Sequence, residues 1–216
     1  MKKILLSAVV ATVVMAQDIT TSANISLTSN YVWRGMTQTD NAPAIQGGFD
    51  FGYNGFYIGT WGSNISWTDN NDSSMELDGY LGYASSFSGI DYDIGYIRYA
   101  YPKVQDESNF DEVYLSLGKE FSFGSISVKY SKAVDVPTGA KKLDDIEGTY
   151  STTLPQNIGF SITYGDYEDT GKRALVTLSK TVGKFDLSVA YSDFSHDSKS
   201  GLEDEDHIIA TISTSF

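Results

Sequence analysis

From Ser22 onward apolar side chains return at every second position, the spacing of a strand rather than of a helix. Ala23, Ile25 and Leu27 share one parity with Tyr31 and Trp33, while Asn24, Ser26, Thr28 and Asn30 share the other. The same alternation runs through Ile45 to Tyr53, Met75 to Tyr83, Val113 to Leu117, Ile126 to Tyr130, Ile158 to Tyr164, Phe185 to Tyr191 and Ile208 to Phe216. With the less regular segments Phe56 to Trp67, Ile90 to Tyr101, Leu143 to Leu154 and Arg173 to Val182, it predicts about twelve strands. The second face is mostly Gly, Ser, Thr, Asn, Ala and Tyr, with scattered carboxylates, where a soluble sandwich would present Lys and Glu to bulk water. Such a face suits the interior of a closed barrel, whose other face meets lipid. The fold class expected is therefore all-β, a transmembrane antiparallel up-and-down β-barrel.

The connections alternate in length. Short ones are Tyr53-Asn54-Gly55, Ser88-Gly89, Phe121 to Phe123, Pro155-Gln156 and Gly183-Lys184; Asn54-Gly55 is a strong two-residue hairpin signal. Long ones are Arg34 to Ala42, Thr68 to Ser74, Pro102 to Asn109, Ala133 to Lys142, Gly165 to Lys172 and Ser195 to Glu205. This is the arrangement of short periplasmic turns and longer external loops. Ala133 to Lys142, with Pro137 and Gly139, is the loop marked as a candidate for folding inward.

Lys2 and Lys3, the apolar run Ile4 to Val14 and the small-x-small site Val14-Met15-Ala16 predict a signal peptide over 1–16 and a barrel over 17–216. Cysteine is absent, which removes disulfides, thiolate metal sites and cysteine nucleophiles and fits export through an oxidising compartment. The formal net charge is -13, so a basic footprint for nucleic acid is lacking. Acidic residues collect in the long loops at Asp69, Asp72, Asp106, Glu107, Asp111, Asp166, Glu168, Asp169, Asp197, Glu203, Asp204, Glu205 and Asp206. Most read as solvated; some are candidates for divalent-cation bridging to lipopolysaccharide phosphates.

The segment LTSNYVWRGMTQTDNAPAIQGGFDFGYNGFYIGTWGSNIS, Leu27 to Ser66, resembles the TorF-type porin family of proteobacteria, a family without an assigned function. The resemblance rests on Ser29, Tyr31, Arg34, Gly35, Gln38, Thr39 and Asp40; on Pro43, Ala44, Gln46, Gly47, Gly48, Phe49 and Asp50; and on Gly55, Phe56, Tyr57, Gly59, Trp61, Ser63 and Asn64. It implies a pore-type outer-membrane protein and brings neither a substrate nor catalytic residues. The terminal Phe216 looks like the assembly signal of such barrels, read by the barrel-assembly machinery.

Parity then assigns roles. Extended past Asn30, it turns Arg34 to the lumen and Tyr31 and Trp33 to lipid, where with Trp61 and Trp67 they form an interface girdle. Lumen candidates are Arg34, Asp50, Glu76, Asp78, Tyr80, Glu112, Tyr114 and Lys129, with Arg34 facing Asp50, Glu76 or Asp78 across the mouth. Inward Asp50, Glu76, Asp78, Asp91, Asp93, Glu112, Glu147 and Asp186 against Arg34 and Lys129 predict weak preference for cations or zwitterions. An enzyme would need a base beside a nucleophile. Only His196 and His207 are available, in or beside the last long loop, and His207 reads as an interfacial strand residue. No cofactor and no metal ligand set is expected. The function expected is passive diffusion of small polar solutes across the outer membrane. The alternative is a non-conducting structural or surface-binding barrel acting through its acidic loops.

Overall fold

A computed structural model describes residues 19–67, 73–102 and 108–216. The segment 1–16 expected to be a signal peptide and the loop residues Asp69, Asp72, Asp106 and Glu107 lie outside the described residues. Twelve antiparallel strands close into one barrel. They are β1 (Thr20–Thr28), β4 (Ala44–Tyr53), β5 (Phe56–Asn64), β6 (Met75–Phe87), β7 (Ile90–Ala100), β8 (Phe110–Phe121), β9 (Gly124–Asp135), β10 (Asp144–Leu154), β11 (Ile158–Tyr167), β12 (Gly171–Val182), β13 (Phe185–His196) and β14 (Glu205–Ser215). Two further short strands, β2 (Val32–Trp33) and β3 (Met36–Thr37), pair only with each other. Each barrel strand pairs with its neighbours in sequence, and β14 returns to β1, with Thr28 opposite Thr211 and Asn24 opposite Ser215. Main-chain bonds between Ala23 and Phe216 (2.9 and 3.2 Å) extend that closing seam to the last residue.

Burial is inverted relative to a water-soluble protein. Ile25, Leu27, Phe49, Ile58, Leu81, Leu115, Val128, Ile162, Val189 and Ile208 are exposed on the outer surface, and polar or small side chains lie inside. A continuous apolar exterior of this kind is the lipid-facing band of a transmembrane barrel. Among the described residues no helix is long and apolar enough to cross a membrane.

The two ends differ. At the turn end Asn54-Gly55 and Ser88-Gly89 hold both central residues at positive φ (49° and 86°; 53° and 77°), the type I′ geometry that matches strand twist. At the other, loop end the expected long loop Gly165 to Lys172 is a correction: Tyr167 pairs with Gly171 and Asp166 with Lys172, leaving only residues 168–170 as a turn. Acidic composition signalled a loop there, but both strands simply project further. Ala133 to Lys142 does not enter the lumen either. β9 continues to Asp135, and Thr138 to Lys142 are exposed, with Lys141 paired to Asp169. The segment that does fold inward is the first connection.

Candidate functional site at the loop end of the lumen

β1 stops at Thr28, and the chain bends at Ser29-Asn30 before parity can carry it further. Thr28 Oγ1 donates to the Asn30 carbonyl (2.9 Å), and the Asn30 side-chain oxygen accepts from Thr37 Oγ1 (2.7 Å) and Thr39 Oγ1 (3.0 Å). This polar knot turns the hairpin β2–β3 back over the barrel opening. Its tip is Arg34-Gly35, with φ of 49° and 91°, a type I′ pair in which the charged residue occupies a backbone conformation that non-glycine residues seldom adopt. Such a position persists only where surroundings hold it.

The surroundings are ion pairs. Arg34 donates two parallel bonds to Glu112, Nη1 to Oε1 at 2.7 Å and Nη2 to Oε2 at 2.8 Å, and its Nε lies 3.4 Å from Asp145 Oδ2. Asp145 also accepts from Arg173 (2.6 and 3.0 Å), and Arg173 reaches on to Glu147 at 2.7 Å. A chain of alternating charge thus crosses the lumen from β8 through the hairpin to β10 and β12. The Arg34 guanidinium sits 4.3 Å from the Trp33 ring and 4.7 Å from that of Tyr167, both at cation–π distance. Burial opposes the Arg34 charge, but Glu112 first, then Tyr99 and Asp145, more than restore it and hold its pKa above the ordinary range. Arg34 is therefore a permanent cation fixed between carboxylates.

Glycines make room for this fit. A Cβ on Gly35 would lie 2.8 Å from Phe194 Cβ, one on Gly165 2.4 Å from the Arg173 guanidinium, and one on Gly171 2.7 Å from the Phe194 ring. On the opposite side Tyr31 Oη donates to Glu76 Oε1 at 3.2 Å, and the Thr37 amide donates to Glu205 Oε2 at 2.9 Å. Trp67 Nε1 donates to Gln38 Oε1 at 3.2 Å. Every barrel strand contributes a buried residue to this end: Thr28, Ala44, Ser63, Glu76, Tyr99, Glu112, Ser131, Asp145, Gly165, Arg173, Phe194 and His207. The hairpin therefore acts as a stopper filling the loop end of the lumen.

Tyr31 and Trp33 are thus corrections. Tyr31 is buried in a cluster with Ala44, Ile65, Tyr99 and Tyr101, and Trp33, Trp61 and Trp67 pack against that cluster instead of facing lipid. Tyr31 and Trp33 were assigned by extending β1 beyond its end; Trp61 shares the inward parity of Tyr57 and Ser63, and Trp67 lies past the end of β5. Exposed Tyr130, Tyr164 and Tyr191 occupy the outward positions near the loop end. His207 is a strand residue of β14, inward and buried, its Nε2 2.7 Å from Glu205 Oε2. Arg34 is inward, but its partners are Glu112 and Asp145, not Asp50, Glu76 or Asp78. Asp145 and Arg173, absent from the sequence-derived set, lie in strands of poorer alternation; parity with Glu147 was the available signal for Asp145.

Below the stopper one wall is aromatic and acidic. Tyr57 Oη donates to Asp93 (2.6 Å) and is hydrogen-bonded to Tyr114 Oη; Tyr80 Oη donates to Asp50; Lys129 Nζ lies 4.6 Å from the Tyr114 ring. These rings lie flat over glycines, since a Cβ on Gly59 would meet Tyr80 at 2.5 Å and one on Gly95 would meet Tyr114 at 2.5 Å. The facing wall, from the turn end of β9 round to β14, carries small hydroxyls such as the bonded pairs Thr149–Thr163 and Ser125–Ser151 (both 2.8 Å).

Among solved structures the fold is similar to the KdgM porin, at 13% identity and TM-score 0.61 over 90% of this chain and 98% of that one. A KdgM porin in complex with disordered oligogalacturonate aligns with 12% identity and TM-score 0.60 over 91% and 98%. At this identity the likeness shows the fold alone, a barrel like those of outer-membrane porins. A search of the curated proteins found no match. The family model described as a bacterial protein of unknown function (Gcw_chp) matches residues 14–214, and the chain belongs to that family.

Proposed function

We propose that the protein is an outer-membrane channel of the porin type, of the TorF-type group its motifs resemble, through which small hydrophilic solutes diffuse passively. The observation that carries this reading is the inverted barrel: an apolar exterior around a lumen lined by ionised and hydroxyl groups, which lower a solute's desolvation cost only along an aqueous path. Inward Asp50, Glu76, Asp78, Asp91, Asp93, Glu112, Asp145, Glu147 and Asp186 outnumber Arg34, Lys129 and Arg173. The excess favours cations and zwitterions and disfavours polyanions such as the oligogalacturonate named with the KdgM porin. The stopper sets how far that path is open. In this reading, which the apolar band and outward tyrosines support, the barrel sits among outer-membrane lipid and lipopolysaccharide, with divalent cations bridging acidic loops to phosphate and Phe216 presented to the assembly machinery.

Planar-bilayer recording tests the reading. The chain with residues 31–38 replaced by a short Gly-Ser linker should give larger and more frequent current steps than the unaltered chain. Reversal potentials in a salt gradient should show cation preference. If neither chain conducts above lipid background, the barrel is structural or surface-binding, and the channel reading fails.

A further inference from the structure

Five carboxylates among the described residues are buried: Glu76, Asp78, Asp111, Glu112 and Asp145. Asp111 pairs with Arg98, Glu112 with Arg34, and Asp145 with both Arg34 and Arg173. Glu76 and Asp78 have no such cation among the described residues. They alternate on the inner face of β6, 1% and 5% exposed, and Glu76 Oε2 and Asp78 Oδ1 have no hydrogen-bond partner. Two like charges held out of water with orphaned oxygens cost several kcal/mol unless something neutralises them. The Tyr31 hydroxyl satisfies only Glu76 Oε1, at 3.2 Å.

We infer that Glu76 and Asp78 hold one hard inorganic cation of the calcium class between Glu76 Oε2 and Asp78 Oδ1, behind the stopper. A divalent ion balances the two carboxylates, and hard cations prefer oxygen ligands. No third acidic or histidine side chain joins the pair as a metal cluster among the described residues. The remaining coordination falls to neutral oxygens. Ser63, buried and opposite Glu76 in the β5–β6 register, gives its proton to the Asn64 carbonyl (2.9 Å) and keeps lone pairs free. The close burial of the pair selects a monatomic ion over an organic ammonium. Because Tyr31 lies on Glu76 and belongs to the hairpin, the ion would fasten the stopper on the side opposite Arg34.

The chain's three tryptophans, Trp33, Trp61 and Trp67, all pack against the Tyr31 cluster, which gives a direct readout. Purified protein in detergent, stripped with EDTA, is titrated with calcium chloride at pH 7 and constant ionic strength, by tryptophan fluorescence and calorimetry. One saturable site is expected, half-filled at or below about 1 mM. Glu76→Gln and Asp78→Asn should each weaken it by about tenfold or more. Asp193→Asn, on the outer surface, should leave it unchanged. Both isosteric variants relieve repulsion, and heat-dependent gel migration reports whether the barrel has formed. If a variant fails to fold, calorimetry on the unaltered chain still decides. Absence of saturable calcium heat overturns the inference, as does an equal response to sodium chloride. A fluorescence change driven by pH alone, without calcium heat, also overturns it and assigns a shared proton to the pair. The readout is binding rather than current, so a non-conducting barrel would sink the channel reading and leave this one standing.

Discussion

The loop end and the middle of this lumen are built by the same strands and the same alternation, yet they are different materials. At the loop end Glu112, Asp145, Arg34 and Arg173 are buried and joined in one network. In the middle Asp50, Asp93 and Lys129 meet tyrosines on one wall, and the facing wall carries paired small hydroxyls. The difference is a third party: at the loop end a hairpin fills the space, and in the middle nothing among the described residues does. Inward parity decides what a strand offers to the lumen; only a segment from elsewhere decides whether that offer is buried.

The sharpest way to break the contrast is Arg34→Ala. It leaves buried Glu112 without its cation, at a cost of about 3–5 kcal/mol against docking of the hairpin, while Asp145 keeps Arg173 on both oxygens. Trp33 and Trp67 emission should shift to the red, channel opening should rise, and proteases should cut within residues 31–40. An unchanged tryptophan spectrum would mean that the aromatic cluster alone holds the stopper.

A smaller effect is expected in the middle. Asp50→Asn keeps a partner for the Tyr80 hydroxyl and removes one inward charge, so hairpin docking should not change. The reversal potential should move toward zero by a fraction of the cation preference. Movement of the tryptophan spectrum instead would show that the two regions are not independent.

The smallest effect lies outside both, in the exposed loop after β13. The His196 amide, and then its ring, hold the Asp204 carboxyl below the ordinary carboxylate range, with the amide at 2.9 Å and Nδ1 at 2.8 Å. A depressed pKa contributes order that is complete above the ordinary carboxylate range, near pH 4, and is lost as pH falls through the lowered value. Hydrogen exchange in residues 197–204 should therefore quicken only in acid, without change in tryptophan emission. In Asp204→Asn the acid-dependent step should disappear.

How much was legible follows the same division. Alternation located the strands, because lipid outside and polar groups inside impose a period of two on every strand. Glu76, Asp78, Tyr80, Glu112 and Tyr114 lie on the inward parity of regular strands, where the alternation is easiest to read. It misplaced Tyr31 and Trp33, because nothing in a period of two announces that β1 ends at Thr28, and strands as short as Val32–Trp33 carry no periodic signal. It also missed the partners of Arg34. Those depend on which positions of β8 and β10 face the hairpin across the barrel, a relation between strands that are not neighbours and so leave no mark on either alternation.

The position of the stopper in the chain has a consequence for the order of assembly. The hairpin is made early, between the first two barrel strands, but its fastenings lie far downstream: Glu112 is 78 residues away and Glu205, which accepts the Thr37 amide, 168. Contacts so distant in sequence form late, after the intervening loops have closed. A nascent sheet thus carries an unneutralised arginine beside Trp33 until β8 and β10 are in place, and the last tie waits for β14. The stopper can seat only when the cylinder is nearly whole, so a seated hairpin is itself a record that closure has been completed.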